Sequence, residues 1–159
     1  MKDLLDKITS YNLYNYLFPG VIFVVLAQTL TSFSLIQENL IIGAFVYYFI
    51  GLVISRIGSL IVEPILKKTN FVKFIACDKF NEAYKKDQKL EILSEANNSY
   101  RTISSMLILL LILKLYDFLA FVIRIQQDTS EIFLVLILLI VFLFSYKKQT
   151  KYIVDRVGK

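Results

Sequence analysis

The stretch MLILLLILKLYDFLAFVIRIQQDTSEIFLVLILLIVFLF, residues 106–144, decides the architecture. Two apolar runs flank a short polar turn, and the second, residues 132–144, holds no polar side chain at all. A helix that is apolar on every face offers no side to water and belongs in a bilayer or in the core of a large protein. With 159 residues, 57% hydrophobic and only 19% charged, this chain is too short and too apolar to build such a core. The fold class expected is therefore all-α, in a membrane.

Outward from that stretch, four apolar segments emerge, at residues 17–36, 40–66, 103–125 and 132–146. A helix needs roughly 20 residues to cross a ~30 Å hydrocarbon core. The first three reach that length, and Tyr146, Lys147 and Lys148 extend the fourth with aromatic and snorkelling groups. The expected divisions are an interfacial N-terminus (1–16), transmembrane helices 1 and 2 (17–66), a cytoplasmic helical segment (67–102), transmembrane helices 3 and 4 (103–146) and a basic tail (147–159).

Basic residues set the orientation. Lys2 and Lys7, eight lysines and arginines between residues 67 and 102, and Lys147, Lys148, Lys151, Arg156 and Lys159 all fall on one side of a four-span chain. The other side has only Arg124. Such an asymmetry places the lysine-rich side in the cytoplasm, with both termini. The location expected is the bacterial inner (plasma) membrane. Lys2 and Lys7 ahead of an apolar run resemble a signal peptide, but Asp3 and Asp6 precede the run, Pro19 and Gly20 interrupt it, and it continues past Ala27. An uncleaved anchor is expected instead. Leu4, Leu5, Ile8 and Tyr11 share a helical face suited to the membrane surface, with Tyr11, Tyr14, Tyr16 and Phe18 as an aromatic belt and Pro19 opening the first span.

Several chemistries are absent from the composition. There is no histidine, and the single cysteine, Cys77, has no partner for a disulfide. Glycine-rich phosphate loops and recognisable nucleophile settings are missing too. Glu91 with Glu95 and Asp78 with Glu82, each pair four residues apart, read as solvated helix faces. The chain is expected to be non-enzymatic and to hold no cofactor and no metal. The segment 67–102 is too short for a catalytic domain. Its Phe71, Phe74, Tyr84, Leu90, Leu93 and Tyr100 recur at helical spacing, which suits two helices broken near Lys86 to Gln88, a hairpin able to dock a protein partner. Interleaved charges there argue against direct nucleic-acid contact. Lys67, Lys68 and the tail suit anionic lipid headgroups.

Polar residues within spans are costly and seldom face lipid. Gln28, Tyr47, Lys114 and Asp117 fall at similar depth and are expected to form a mid-membrane layer, Lys114 pairing with Asp117 three residues on. The layer reads as a structural lock or, alternatively, as part of an ion path. In the second span Gly43, Tyr47, Gly51, Ser55 and Ser59 recur every four residues, and Ala44, Gly51 and Gly58 every seven. This small-residue side (Gly43, Gly51, Ser55, Gly58, Ser59) suits close helix packing, within one chain or in a homo-oligomer. Arg56 can snorkel or pair with Glu63 two turns on.

The N-terminal stretch DKITSYNLYNYLFPGVIF, residues 6–23, resembles the opening of small multi-pass inner-membrane proteins of bacterial defence loci. The four-span plan with one cytoplasmic segment between spans two and three is similar to the membrane subunit of the Kiwa anti-phage system. The resemblance implies an oligomeric membrane sensor that recruits a cytosolic effector. The expected function is thus a non-enzymatic oligomeric sensor or anchor. The alternative is a pore-forming or ion-channel effector that depolarises the membrane.

Overall fold

A computed structural model of the chain describes residues 12–75, 77–87, 89–123 and 127–157. The interfacial face of Leu4, Leu5, Ile8 and Tyr11 lies outside these residues, as do Arg124 and the side chain of Cys77. The helices are α1 (Leu13–Leu30), α2 (Leu40–Lys68), α3 (Cys77–Lys86), α4 (Lys89–Ile123) and α5 (Gln127–Val157). Among the described residues there is no strand. In α1, α2, α4 and the Ile132–Asp155 part of α5 the protein has four helices long and apolar enough to cross a membrane.

α1 and α2 form an antiparallel pair, α4 packs against both, and α5 lies outermost against α2. Glycine sets the closeness of the first pair. A Cβ on Gly20 would sit 1.8 Å from the Tyr47 carbonyl oxygen, and one on Gly51 would sit 1.7 Å from that of Tyr16. The two backbones therefore touch directly, the arrangement by which helices associate where lipid removes the hydrophobic incentive to pack. α4 runs parallel to α1: Asn15 lies beside Thr102, and Ser32 and Phe33 beside Asp117 and Tyr116. α5 runs parallel to α2, with Phe49 stacked on Phe142 at 5.8 Å and Ser59 beside Lys148.

The chain's two prolines each follow a widened turn. Residues Leu13–Leu17 and Gly58–Val62 form π-helical turns, and Pro19 and Pro64 come two residues after each. Proline cannot donate to the carbonyl four residues back and its ring crowds that carbonyl, a conflict that a local π turn relieves. Pro19 consequently lies inside α1 rather than at its entry, because the helix has already begun at Leu13.

α1 ends at Leu30 instead of continuing to residue 36. Thr31 is extended, its hydroxyl folds back to the Ala27 carbonyl, and residues 31–39 return as a loop. α2 then starts cleanly: the Asn39 carboxamide oxygen accepts from the N–H groups of Ile41 and Ile42 at 2.9 and 3.1 Å. Its other end closes on Asn70 in the left-handed conformation, φ 58°. There Asn70 N–H bonds the Lys67 carbonyl and Phe71 N–H bonds the Leu66 carbonyl, the paired bonds of a Schellman ending.

The break expected near Lys86 is present: α3 stops at Lys86, and Asp87 accepts from the Lys89 N–H at 2.9 Å. α4 then runs 35 residues without interruption, so the second half of the polar connection and the third span are one helix. Only short α3 is separate. It packs on the start of α4 with Phe80 and Tyr84 facing Glu91, Ser94 and Glu95.

Candidate functional site

Most outward side chains of the spans are apolar; Leu40 is 85% exposed and Phe121 84%. The interior is the unusual part, because Asn15, Ser55, Glu63, Thr102 and Ser105 are all buried. They gather at the basic end of the bundle, where the lysines and arginines concentrate, and form two linked tiers.

The neutral tier joins three helices. Thr102 Oγ1 on α4 lies 2.8 Å from Asn15 Oδ1 on α1 and 3.2 Å from Ser55 Oγ on α2, and Asn15 Nδ2 donates to Ser55 Oγ at 3.4 Å. Thr102 also reaches the Asn98 carbonyl, and Ser105 donates to that of Arg101 at 2.7 Å. The Tyr16–Gly51 contact holds α1 and α2 close enough for Asn15 to reach Ser55, and the first π turn carries Asn15. Gly58 does the same for α4: a Cβ there would meet Ser105 Oγ at 2.5 Å. Thr102→Val keeps the shape and removes the hydroxyl. It is expected to lower stability by about 1 kcal/mol, the size of an interhelical hydrogen bond in a membrane protein. Unfolding curves of the two proteins in mixed micelles measure this.

The charged tier lies one to two turns nearer the basic end. Glu63 accepts from Lys67 Nζ through Oε1 and from Arg101 Nη1 through Oε2, each at 2.7 Å. Lys148 Nζ on α5 donates to the Ser59 carbonyl and hydroxyl, both at 2.7 Å. The second π turn explains why that carbonyl is available. Glu63 N–H, which an α-helix would give to Ser59, goes to Gly58, and Pro64, next in line, has no N–H. Lys148 supplies the missing donor from another helix. The lysine thus pins α5 to α2.

The π turn also decides the partner of Glu63. One inserted residue rotates the remainder of the helix by about 100°, so Glu63 faces Arg101 and not Arg56. The Arg56–Glu63 pairing expected from spacing is replaced by Glu63 with Arg101 and Lys67.

Among the described residues, the four expected to share a mid-membrane layer make no hydrogen bond or ion pair with one another. Asp117 accepts from the Ser32 N–H at 3.2 Å and from the Ser32 hydroxyl, which anchors the 31–39 loop. Tyr47 OH accepts from the Gln37 N–H of that loop at 3.0 Å. Gln28 and Lys114 are exposed, and among the described residues Lys114 makes no ion pair with Asp117. Lys114 lies twelve residues, about 18 Å, along α4 from Thr102, and only about 5 Å short of Asp117. The early end of α1 is the cause: its loop folds onto α4 at Asp117, which bonds Ser32 and not Lys114.

The small-residue side of α2 packs inside the chain. Gly51 meets α1, Ser55 meets Asn15 and Thr102, Gly58 meets Ser105, and Ser59 meets Lys148. Gly43 is buried beside the ring of Tyr47 on its own helix. Of the residues expected to dock a partner, Phe71, Phe74, Tyr84, Leu93 and Tyr100 are exposed and Leu90 is half-buried. Lys67 Nζ sits 3.8 Å above the Phe74 ring.

Sequence reasoning missed Asn15, Thr102, Ser105, Arg101 and the tethering role of Lys148. A signal was present: Asn98, Thr102 and Ser105 recur at helical spacing into the third span, and Glu63 stands in the apolar run LIVEPIL. No family model, curated protein or solved structure matches the chain. Fold and site together define an all-helical multi-pass membrane protein, held together by polar contacts at one end and by glycine-mediated backbone contact.

Proposed function

We propose that this chain is a non-enzymatic, oligomeric protein of the bacterial inner membrane, both termini cytoplasmic, that serves as a membrane sensor or anchor for a cytosolic protein effector. The carrying observation is apolar exposure outside the spans: Phe71, Phe74, Ile75, Leu93 and Tyr100 are all more than half exposed on the part of the chain beyond the polar tiers. From Thr102 back to Lys89, α4 projects about 20 Å past the neutral tier, and α3 packs against that projection as the second arm of a hairpin. Exposed apolar patches of this kind mark interaction surfaces. Positive-inside asymmetry supports a cytoplasmic placement of the hairpin. The resemblance of residues 6–23 and of the four-span plan to membrane subunits of defence loci supports an anti-phage setting.

Oligomerisation rests on a second observation. Gln28 and Lys114, level with each other on the parallel helices α1 and α4, are exposed within the apolar zone, where polar groups seldom face lipid. A neighbouring copy would cover them.

The test is co-purification in mild detergent from the native host. The expected result is an oligomer that retains one soluble protein, and Leu93→Glu with Tyr100→Glu releases that protein while leaving the helix content and oligomer size unchanged. A monomer with no retained protein would overturn the reading. The second reading, a pore between copies, rests on the same Gln28 and Lys114 lining its wall. A single-channel current in planar bilayers that Lys114→Met abolishes would favour it.

A further inference from the structure

Between α2 and α5, on the outer side of the charged tier, Arg56, Ser59, Leu60, Ser145, Lys148, Gln149 and Tyr152 line a niche. The charge count around it does not balance. Arg56 and Lys148 both line it and no described carboxylate does; Glu63, in the adjoining tier, is the carboxylate that acts on Lys148. Both oxygens of Glu63 are already engaged by Lys67 and Arg101. Arg56 makes no hydrogen bond or ion pair among the described residues, although it stands in a membrane-spanning helix and shares the niche with a second cation. Ser145 Oγ, on the wall of the niche, is buried without a hydrogen-bond partner. Lys148 spends two donors on Ser59 and has a third in hand.

Uncompensated cations and orphaned donors in a region partly out of water call for an anion. We infer that the niche formed by Arg56, Ser145, Lys148 and Tyr152 binds the phosphate of an anionic phospholipid. The enclosed volume, about 20 Å³, admits one water-sized group. One phosphate oxygen therefore enters between Arg56 and Lys148, and the rest of the headgroup stays in the mouth. The surroundings select a lipid over free phosphate. Along the α2–α5 seam toward the apolar zone, the exposed ring of Phe49 stacks on Phe142 and offers a surface for an acyl chain. Tyr146 and Tyr152 add exposed aromatic rings at the level of the headgroups. Basic pockets between membrane helices on the cytoplasmic side recognise phosphate-bearing headgroups by this chemistry. The bound lipid bridges α5, the least buried of the four spans, to α2. The site depends on the chain spanning a bilayer and on no protein partner, so it stands or falls apart from effector recruitment.

Native mass spectrometry and thermal unfolding of the full chain in a neutral detergent test this. Added phosphatidylglycerol is expected to give a discrete one-lipid adduct per chain and to raise the unfolding temperature, whereas phosphatidylcholine does neither at equal concentration. Arg56→Gln is expected to weaken the adduct about five- to tenfold, the contribution of one cation near anionic lipid. Arg56→Lys retains most of it, and Lys151→Gln on the exposed tail leaves it unchanged. Equal binding of phosphatidylcholine, or an undiminished adduct in a folded Arg56→Gln protein, would overturn the site. The same stabilisation by inorganic phosphate alone would overturn its assignment to a lipid. The competition between lipids on the unaltered protein decides the matter even where a variant folds poorly.

Discussion

Gly51→Leu is expected to destabilise the bundle by about 3 kcal/mol or more, at the upper end of overpacking effects. The cause is specific: the first added carbon would lie 1.7 Å from the Tyr16 carbonyl oxygen. That atom belongs to the backbone of α1, so no side-chain rotation relieves the overlap, and α1 must move away from α2. Its displacement would also pull Asn15 from Ser55 and Thr102, so the loss extends to the neutral tier. Gly43→Ala is the control. Its Cβ would meet only the ring of Tyr47, at 3.3 Å, and a ring can shift by a few tenths of an ångström. Unfolding in mixed micelles should therefore place Gly43→Ala within about 1 kcal/mol of the parent. Equal stability of the two variants would show that the α1–α2 backbone contact does not hold the fold.

Glu63→Gln is expected to cost about 3 kcal/mol, because removing one partner of a buried ion pair leaves the other charge uncompensated. The two links of Glu63 are unequal. Lys67 is 41% exposed and water can solvate it, whereas the Arg101 side chain is only 19% exposed and joins α4 to α2. Lys67→Met should accordingly change stability by less than about 1 kcal/mol. The double variant Glu63→Gln with Arg101→Gln should recover part of the loss, since the stranded guanidinium is gone. If the double variant were no better than the sum of its parts, Glu63 and Arg101 would be energetically independent despite their 2.7 Å contact.

The same carboxylate shows why the site was less legible than the spans. In sequence, Glu63 has two basic neighbours at helical spacing: Arg56 two turns back and Lys67 one turn ahead. Choosing between them needs the rotation introduced at the Gly58–Val62 turn, and that turn exists because Pro64 cannot complete an α-helical ladder. The proline was visible, but its remedy was one of several that a helix can adopt. Lys114 and Asp117 taught the converse. They stand out in an apolar run as a natural pair, yet Asp117 bonds Ser32, because α1 ends at Leu30 and its loop arrives at that level. The small-residue side of α2 was legible as a packing surface; its partners within the chain were not.

From sequence alone, then, came the helical class, the four apolar crossings, the break before Lys89 and the concentration of charge at one end. These are one-dimensional properties: hydrophobic length and the order of lysines and arginines survive any rotation of the helices. The tertiary structure decided which polar groups meet. Contact across helices depends on where each helix starts, how far a π turn rotates it and how near two glycines let backbones come. Those quantities join Asn15 to Thr102 across 87 positions of chain and Ser59 to Lys148 across 89. No local spacing encodes separations of that size, and they assemble the polar tiers and the niche of Arg56 and Lys148.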